Sequence, residues 1–274
     1  VKERIQKILA AAGVDSRRNV EQMILQGRIA VNGKVFTRLP VLVDPQKDKV
    51  TVDGQSVSIK EPDQGERMYI LMNKPKGVLT TNVAQGEQVR AIDLLPKTLP
   101  GRVYPVGRLD AESKGLLLLT NDGELTNQLT HPRYGVAKTY RASVDGYVEG
   151  STLEKLSRGV WLGDGSGGSM RSGHSKMKII SRSRVSTVLE ITINETRNRE
   201  LRRMLAHAGH KVRELTRIRM GPLTLDKLAP GEIRALTVKE VRQLQKLVRK
   251  KDEPGVPSAS PTSELRHKKS PAAK

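Results

Sequence analysis

Residues 105–125 read PVGRLDAESKGLLLLTNDGEL. Charged Arg108 and Asp110 flank the apolar Leu109, and a glycine leads into four consecutive leucines, Leu116 to Leu119. A carboxylate beside such an apolar core segment is costly unless it is paired or put to use. Taken alone, the Gly-Arg-Leu-Asp string reads as a turn bearing an ordinary surface ion pair. The segments on either side decide between the two.

Upstream, MYILMNKPKGVLTT (68–81) is a short apolar strand broken at Lys74-Pro75-Lys76-Gly77, whose two lysines face either RNA or solvent. Downstream, KTYRASVDG (138–146) and STVLEITINE (186–195) alternate apolar and polar residues as strands do, while LEKLSRGV (153–160) and RELRRMLAHAG (199–209) have helical spacing closed by glycine. This mixture predicts an α+β domain over 67–247, built on a largely antiparallel sheet with flanking helices.

Residues 1–60 differ in character. Ile5, Ile8, Leu9 and Ala12 recur at helical spacing before Gly13, and Asp15 or Ser16 is placed to cap a second helix with Val20, Met23 and Ile24 inward. RIAVNGKVF (28–36) and KVTVDGQSV (49–57) then predict hairpins at Asn32-Gly33 and Asp53-Gly54. EPDQGE (61–66) reads as a linker between the two domains. Residues 248–274 are rich in Pro, Ser and Lys and predict a disordered basic tail.

Composition narrows the chemistry. The chain has 274 residues, 49 Lys+Arg against 29 Asp+Glu, and a net charge of +20. Residues 1–60 carry 11 basic and 6 acidic side chains, so the excess is not confined to one tail and calls for a polyanionic partner, nucleic acid first. Aromatics are only 3%, which points to recognition through phosphates and shape more than through stacking. Cysteine is absent, so thiol nucleophiles, disulfides and cysteine-ligated metals are excluded. His207 and His210 share a helical face but lack a third ligand, and GDGSGGS (163–169) lacks the Lys-Ser/Thr of a nucleotide loop, so neither metal nor cofactor is expected. No apolar run approaches the roughly 20 residues of a membrane span, and the opening VKERIQKILAAAG has no apolar signal core, which makes a cytoplasmic location the expectation.

Two resemblances gather these features. Ser16, Arg17 and Arg18 opening the second helix, followed by GRIAVNGKV, resemble the S4 RNA-binding domain. Arginines in a first helical turn sit beside free N–H groups, a surface suited to phosphate. PVGRLDAESKGLLLLTNDGEL, HPRYGVAKTYRASVDG (131–146), ETRNRELRRMLAHAGH (195–210) and ELTRIRMG (214–221) resemble, in order and spacing, the motifs of bacterial ribosomal-RNA pseudouridine synthases that carry an S4 domain. NKPKGVLTT and APGEIRALT are similar to that family's framing segments.

The resemblance implies an isomerase that needs no cofactor. It implies Asp110 as the carboxylate acting at the sugar, Arg202 as its ion-pair partner, Tyr140 stacking on uracil and taking the proton from carbon 5, with Asp110 or water as sharers of that step, and Leu215 packing on the other side of the base. An adjacent guanidinium favours the ionised form of such a carboxylate. Arg108 is assigned to filling the gap left by the flipped uridine or to a nearby phosphate. Arg197, Arg199, Arg203, Arg213, Arg217 and Arg219 are the candidates for gripping the RNA backbone. The expected substrate is large-subunit ribosomal RNA, acted on by a monomer; small-subunit RNA and a non-catalytic assembly factor are the alternatives.

Overall fold

The computed structural model describes residues 2–59, 67–163, 168–194 and 199–252. The expected linker at 61–66, most of the tail, the centre of the glycine-rich stretch and Arg197 lie outside the described residues. The chain divides into two compact units, Val1–Arg67 and Met68–Lys274.

In the first unit, β1 (Glu3–Arg4) precedes α1 (Ile5–Ala11) and α2 (Arg17–Leu25). Ile5 and Leu9 of α1 meet Val20 and Ile24 of α2, all four fully withdrawn from solvent. Ser16 caps α2, its Oγ accepting the Asn19 N–H at 3.2 Å. Then come β2 (Ile29–Val31), β3 (Lys34–Phe36), β4 (Leu42–Val43), β5 (Val50–Val52) and β6 (Gln55–Val57). Strands β3-β2-β5-β6 form an antiparallel sheet, and β1 pairs with β4 separately. Both expected hairpins form: Asn32 and Gly33 have φ of 52° and 81°, Asp53 and Gly54 of 50° and 79°, the positive values that a two-residue turn between twisted strands requires.

The second unit runs β7 (Tyr69–Lys74), β8 (Tyr104–Pro105), β9 (Lys114–Thr120), α3 (Gly123–Thr130), β10 (Lys138–Asp145), α4 (Gly150–Ser157), β11 (Trp161–Gly163), β12 (Ser169–Arg171), β13 (Ser175–Arg182), β14 (Ser186–Ile193), α5 (Glu200–His207), β15 (Val212–Met220), β16 (Leu223–Thr224), β17 (Ile233–Ala235) and α6 (Val238–Asp252). The central sheet has the order β13-β14-β10-β15-β9-β7-β17. Every neighbouring pair along it is antiparallel except β15 with β9, which meet in parallel at Thr216–Lys114 and Arg217–Gly115.

The four-leucine run is explained by layers on both faces of β9. Leu117 and Leu119 join Met72, Tyr140, Leu189, Ile191 and Leu215 beneath α4 and α5. Leu116 and Leu118 join Leu71, Leu125, Leu129, Leu244 and Val248 beneath α3 and α6. A strand covered on both faces reads as a continuous apolar run because alternation has no solvent side to report. The boundary expected at 247 is corrected: α6 continues to Asp252, and Val248 is buried in the second layer. Among the described residues no helix is long and apolar enough to cross a membrane.

Candidate active site

Asp110 sits in the loop that enters β9, and that loop is pinned from two directions. On one side, Thr80 Oγ1 donates to the Leu109 carbonyl at 2.9 Å, and the Gly77 N–H donates to the Ala111 carbonyl at 2.8 Å. On the other, Arg202 Nη2 of α5 donates to the Glu112 carbonyl at 3.1 Å. Within the loop, the Ser113 N–H donates to the Asp110 carbonyl at 3.0 Å. The backbone on both sides of Asp110 is thereby fixed while its side chain remains 27% exposed.

Lys74 ends β7 beneath this loop and is fully buried, not the surface lysine its Lys-Pro-Lys-Gly setting suggested. Its ammonium donates to the carbonyls of Pro75 at 2.8 Å, Val78 at 2.7 Å and, more weakly, Ala111 at 3.4 Å. Burial pushes the Lys74 pKa down to about 8, with the Asp110 charge opposing that fall and Arg217 adding to it. The other lysine of the turn, Lys76, is exposed and pairs with Glu112 at 3.1 Å.

Leu109, Tyr140 and Leu215 belong to one buried cluster. Tyr140 is 2% and Leu215 6% exposed. They lie on the adjacent strands β10 and β15, where Leu215 faces Ala142 and Tyr140 faces Arg217. Among the described residues the Tyr140 hydroxyl has no hydrogen-bond partner.

The expected ion pair is corrected. Among the described residues, the cation within 4.0 Å of Asp110 is Arg199, Nε to Oδ2, and not Arg202. Arg199 adopts a left-handed backbone at the start of α5, with φ of 55°, and its side chain is exposed. Arg202, one turn further along, spends its guanidinium on the carbonyls of Val212, at 3.3 Å, and Glu112. It joins α5 to the loop and to β15 instead of meeting the carboxylate.

The expected backbone-gripping arginines separate by environment. Arg217 is 2% exposed, its Nε donating to the Leu116 carbonyl at 2.7 Å, so it is an internal tie between β15 and β9 and has no surface to offer a phosphate. Among the described residues its Nη2 is buried without a hydrogen-bond partner. Arg213 is paired with Asp145. Arg108 and Arg219 are exposed, and Arg203 is half-buried. In the first unit Arg17 and Arg18 are exposed in the first turn of α2, with Ser16 engaged as its cap. His210 contacts the Asp145 carbonyl at 2.9 Å, and among the described residues no group of His, Asp or Glu is placed to hold a metal.

Sequence reasoning missed the internal roles of Lys74, Thr80 and Arg217. A lysine before a proline and an arginine amid arginines carry no local mark of burial; only the pairing of β7, β9 and β15 encloses them.

Residues 3–45 match the S4 domain, and residues 68–207 match the RNA pseudouridylate synthase family. An uncharacterised RNA pseudouridine synthase of Aquifex aeolicus is 44% identical over 245 residues, covering 89% of this chain and 94% of that protein. Ribosomal large subunit pseudouridine synthase B of Bacillus subtilis is 42% identical over 249 residues, covering 89% and 96%. A crystal structure of a pseudouridylate synthase superposes with a TM-score of 0.63 at 27% identity, covering 88% of this chain and 99% of that one. Because the second match runs through Asp110, Tyr140 and Arg202 and the first precedes it, the chain belongs to the RNA pseudouridylate synthase family and carries an N-terminal S4 domain.

Proposed function

We propose that this enzyme converts a uridine of large-subunit ribosomal RNA to pseudouridine in the cytoplasm, without a cofactor. The observation that carries the reading is a part-exposed carboxylate, Asp110, with Arg199 beside it, on a tied loop whose Leu109 shares a buried cluster with Tyr140 and Leu215. The name of the Bacillus subtilis relative supports the large subunit as the source of the RNA.

The reaction breaks the bond from N1 of uracil to C1′ of ribose and forms one from C5 to C1′. The proton on C5 leaves and N1 gains one, so the product is an isomer and no redox partner enters the balance. Asp110 acts at the sugar as the base departs, as carboxylates do in other glycosyl transfers. Tyr140 and Leu215 hold the uracil between them while it turns, and the Tyr140 phenolic oxygen takes the C5 proton as its own hydroxyl proton passes to water or Asp110. Arg108, exposed two residues before the carboxylate, enters the gap left in the RNA when the uridine is flipped. Arg199 supplies the positive charge next to Asp110. Arg202 is a positioning residue, acting through the Glu112 carbonyl on the loop. Arg17 and Arg18 of the S4 domain contact phosphates.

The test is a pseudouridine map of ribosomal RNA from cells lacking this protein, by carbodiimide-stop sequencing. Loss of a large-subunit site supports the proposal. Loss confined to small-subunit RNA redirects the substrate, and an unchanged map overturns the enzymatic reading.

A further inference from the structure

Helix α6 lies outside the residues matched by either family, 3–45 and 68–207. Its inner side, with Leu244, Leu247 and Val248, seats on the layer formed with α3. Its outer side presents Lys239, Arg242, Lys246 and Arg249, all exposed. Steps of three, four and three residues keep all four on one face, and at 1.5 Å per residue they span about 15 Å.

Among the described residues no side chain is placed to neutralise this stripe. None of the four cations takes part in an ion pair among the described residues. Glu240, in the first turn, is held by Arg234 through bonds of 2.7 and 2.9 Å and by Thr237. The stretch that follows, 253–274, is net basic in sequence, with Glu253 and Glu264 against Arg266, Lys268, Lys269 and Lys274. Like charges three and four residues apart repel, and Lys239 sits at the positive end of the helix dipole, so the arrangement weakens the helix that carries it. Folding does not account for it, whereas a polyanion does. A B-form DNA strand bears a phosphate about every 3.4 Å of axis and an A-form RNA strand spaces them more closely, so the stripe is long enough to face about four or more.

We propose that the outer face of α6 is a docking site for the phosphate backbone of the RNA substrate, engaging a segment away from the target uridine. This rests on the reading of the protein as a ribosomal-RNA enzyme. The test uses the full chain with Lys239→Gln, Arg242→Gln, Lys246→Gln and Arg249→Gln combined, since glutamine keeps helix propensity. Binding to large-subunit RNA by filter retention across a salt series is measured alongside pseudouridine formation. The expected result is weaker binding, a log–log salt slope shallower by about 3, a raised KM and an unchanged kcat at saturating RNA.

The double variant Arg242→Gln with Lys246→Gln should lose about half of the slope, and it keeps the proposal open to refutation if the quadruple variant melts early. Wild-type affinity and slope in either folded variant would overturn the docking site. A loss of kcat with affinity intact would overturn it too, by showing a role other than docking. Failure of the wild-type protein to form pseudouridine is a separate result that refutes the function and not the binding surface.

Discussion

Gly115 is where the two halves of the catalytic sheet touch, and replacing it with alanine tests how the site is assembled. It has φ of +106°, and a Cβ built there would overlap the Arg217 carbonyl oxygen, lying also 2.8 Å from Arg217 N and 2.9 Å from Thr216 Cγ2. Two of those three obstacles are backbone atoms, which cannot swing aside as a side-chain tip can. Holding a non-glycine residue in such a backbone conformation costs about 1–3 kcal/mol, and overpacking adds about 1–3 kcal/mol. At roughly 2–4 °C per kcal/mol for a protein of this size class, Gly115→Ala should melt about 10 °C below wild type. Gly77→Ala is the comparator, because Gly77 has φ of +86° with nothing within 4 Å of the added Cβ and so carries the backbone cost alone. The parallel pairing of β9 with β15 joins the strand that follows the Asp110 loop to the strand that carries Leu215, and Leu109 of the loop shares a buried cluster with Leu215 and Tyr140. Catalysis by Gly115→Ala should therefore drop even at temperatures where the variant is folded. Thermal unfolding and single-turnover pseudouridine formation, run on both variants, decide the matter; equal melting points for the two would refute the seam argument.

Glu240 provides a pH-dependent prediction. The Arg234 guanidinium and the Thr237 backbone hold its carboxyl down at about 2, below the ordinary 4.5. Its contribution is therefore complete above the unfolded value and lost as pH falls from about 4.5 towards 2. Glu240→Gln should cost about 1–3 kcal/mol in urea unfolding at pH 7 and much less near pH 3, and a cost independent of pH would contradict the assignment. Lys74 gives a rise with pH in a different, alkaline window, and there the buried charge is a cost that deprotonation relieves. With its pKa lowered from 10.5 to about 8, the unfolded chain binds the extra proton between those values. Stability relative to Lys74→Met should rise with pH across that window, by up to about 1.4 kcal/mol per unit. Parallel stability curves for the two proteins would show that the ammonium is not buried as described. The same variant leaves the carbonyls of Pro75 and Val78 without their donor and should slow turnover by loosening the Asp110 loop.

Much of the fold can be read from local pattern. The strands at 138–145 and 186–193 follow their alternation, α5 follows RELRRMLAHAG, and the first unit's turns follow Asn32-Gly33 and Asp53-Gly54. What escaped reading depends on contacts distant in sequence. β15 places Arg213, Glu214 and Arg219 on exposed positions and an arginine inside, so its pattern resembles a solvated segment until β9 and β10 enclose it. The pairing of β1 with β4 is too short to announce itself. Asp110, Tyr140 and Leu215 stood out only through the resemblance of their segments to family motifs, and the structure places Leu109, the neighbour of Asp110, in one cluster with the other two. The partner of Asp110 was not legible, because whether Arg199 or Arg202 reaches the carboxylate depends on a left-handed turn at Arg199 and on which free carbonyls lie near α5. The end of α6 was misread because Lys250 and Lys251 blend into a basic, proline-containing tail, while Val248 shows its role only against α3.

The most direct measurement is tritium release from large-subunit ribosomal RNA carrying [5-³H]uridine, with wild type and Asp110→Asn compared at equal RNA occupancy. Breaking the C5–H bond is obligatory for the isomerisation and for nothing else proposed of this chain. The account predicts release by the wild type to the extent of one site and none by Asp110→Asn, whose RNA affinity stays within about threefold of wild type, since a single side chain outside the phosphate contacts contributes little to binding. Release by Asp110→Asn at the wild-type rate would contradict the account at its centre.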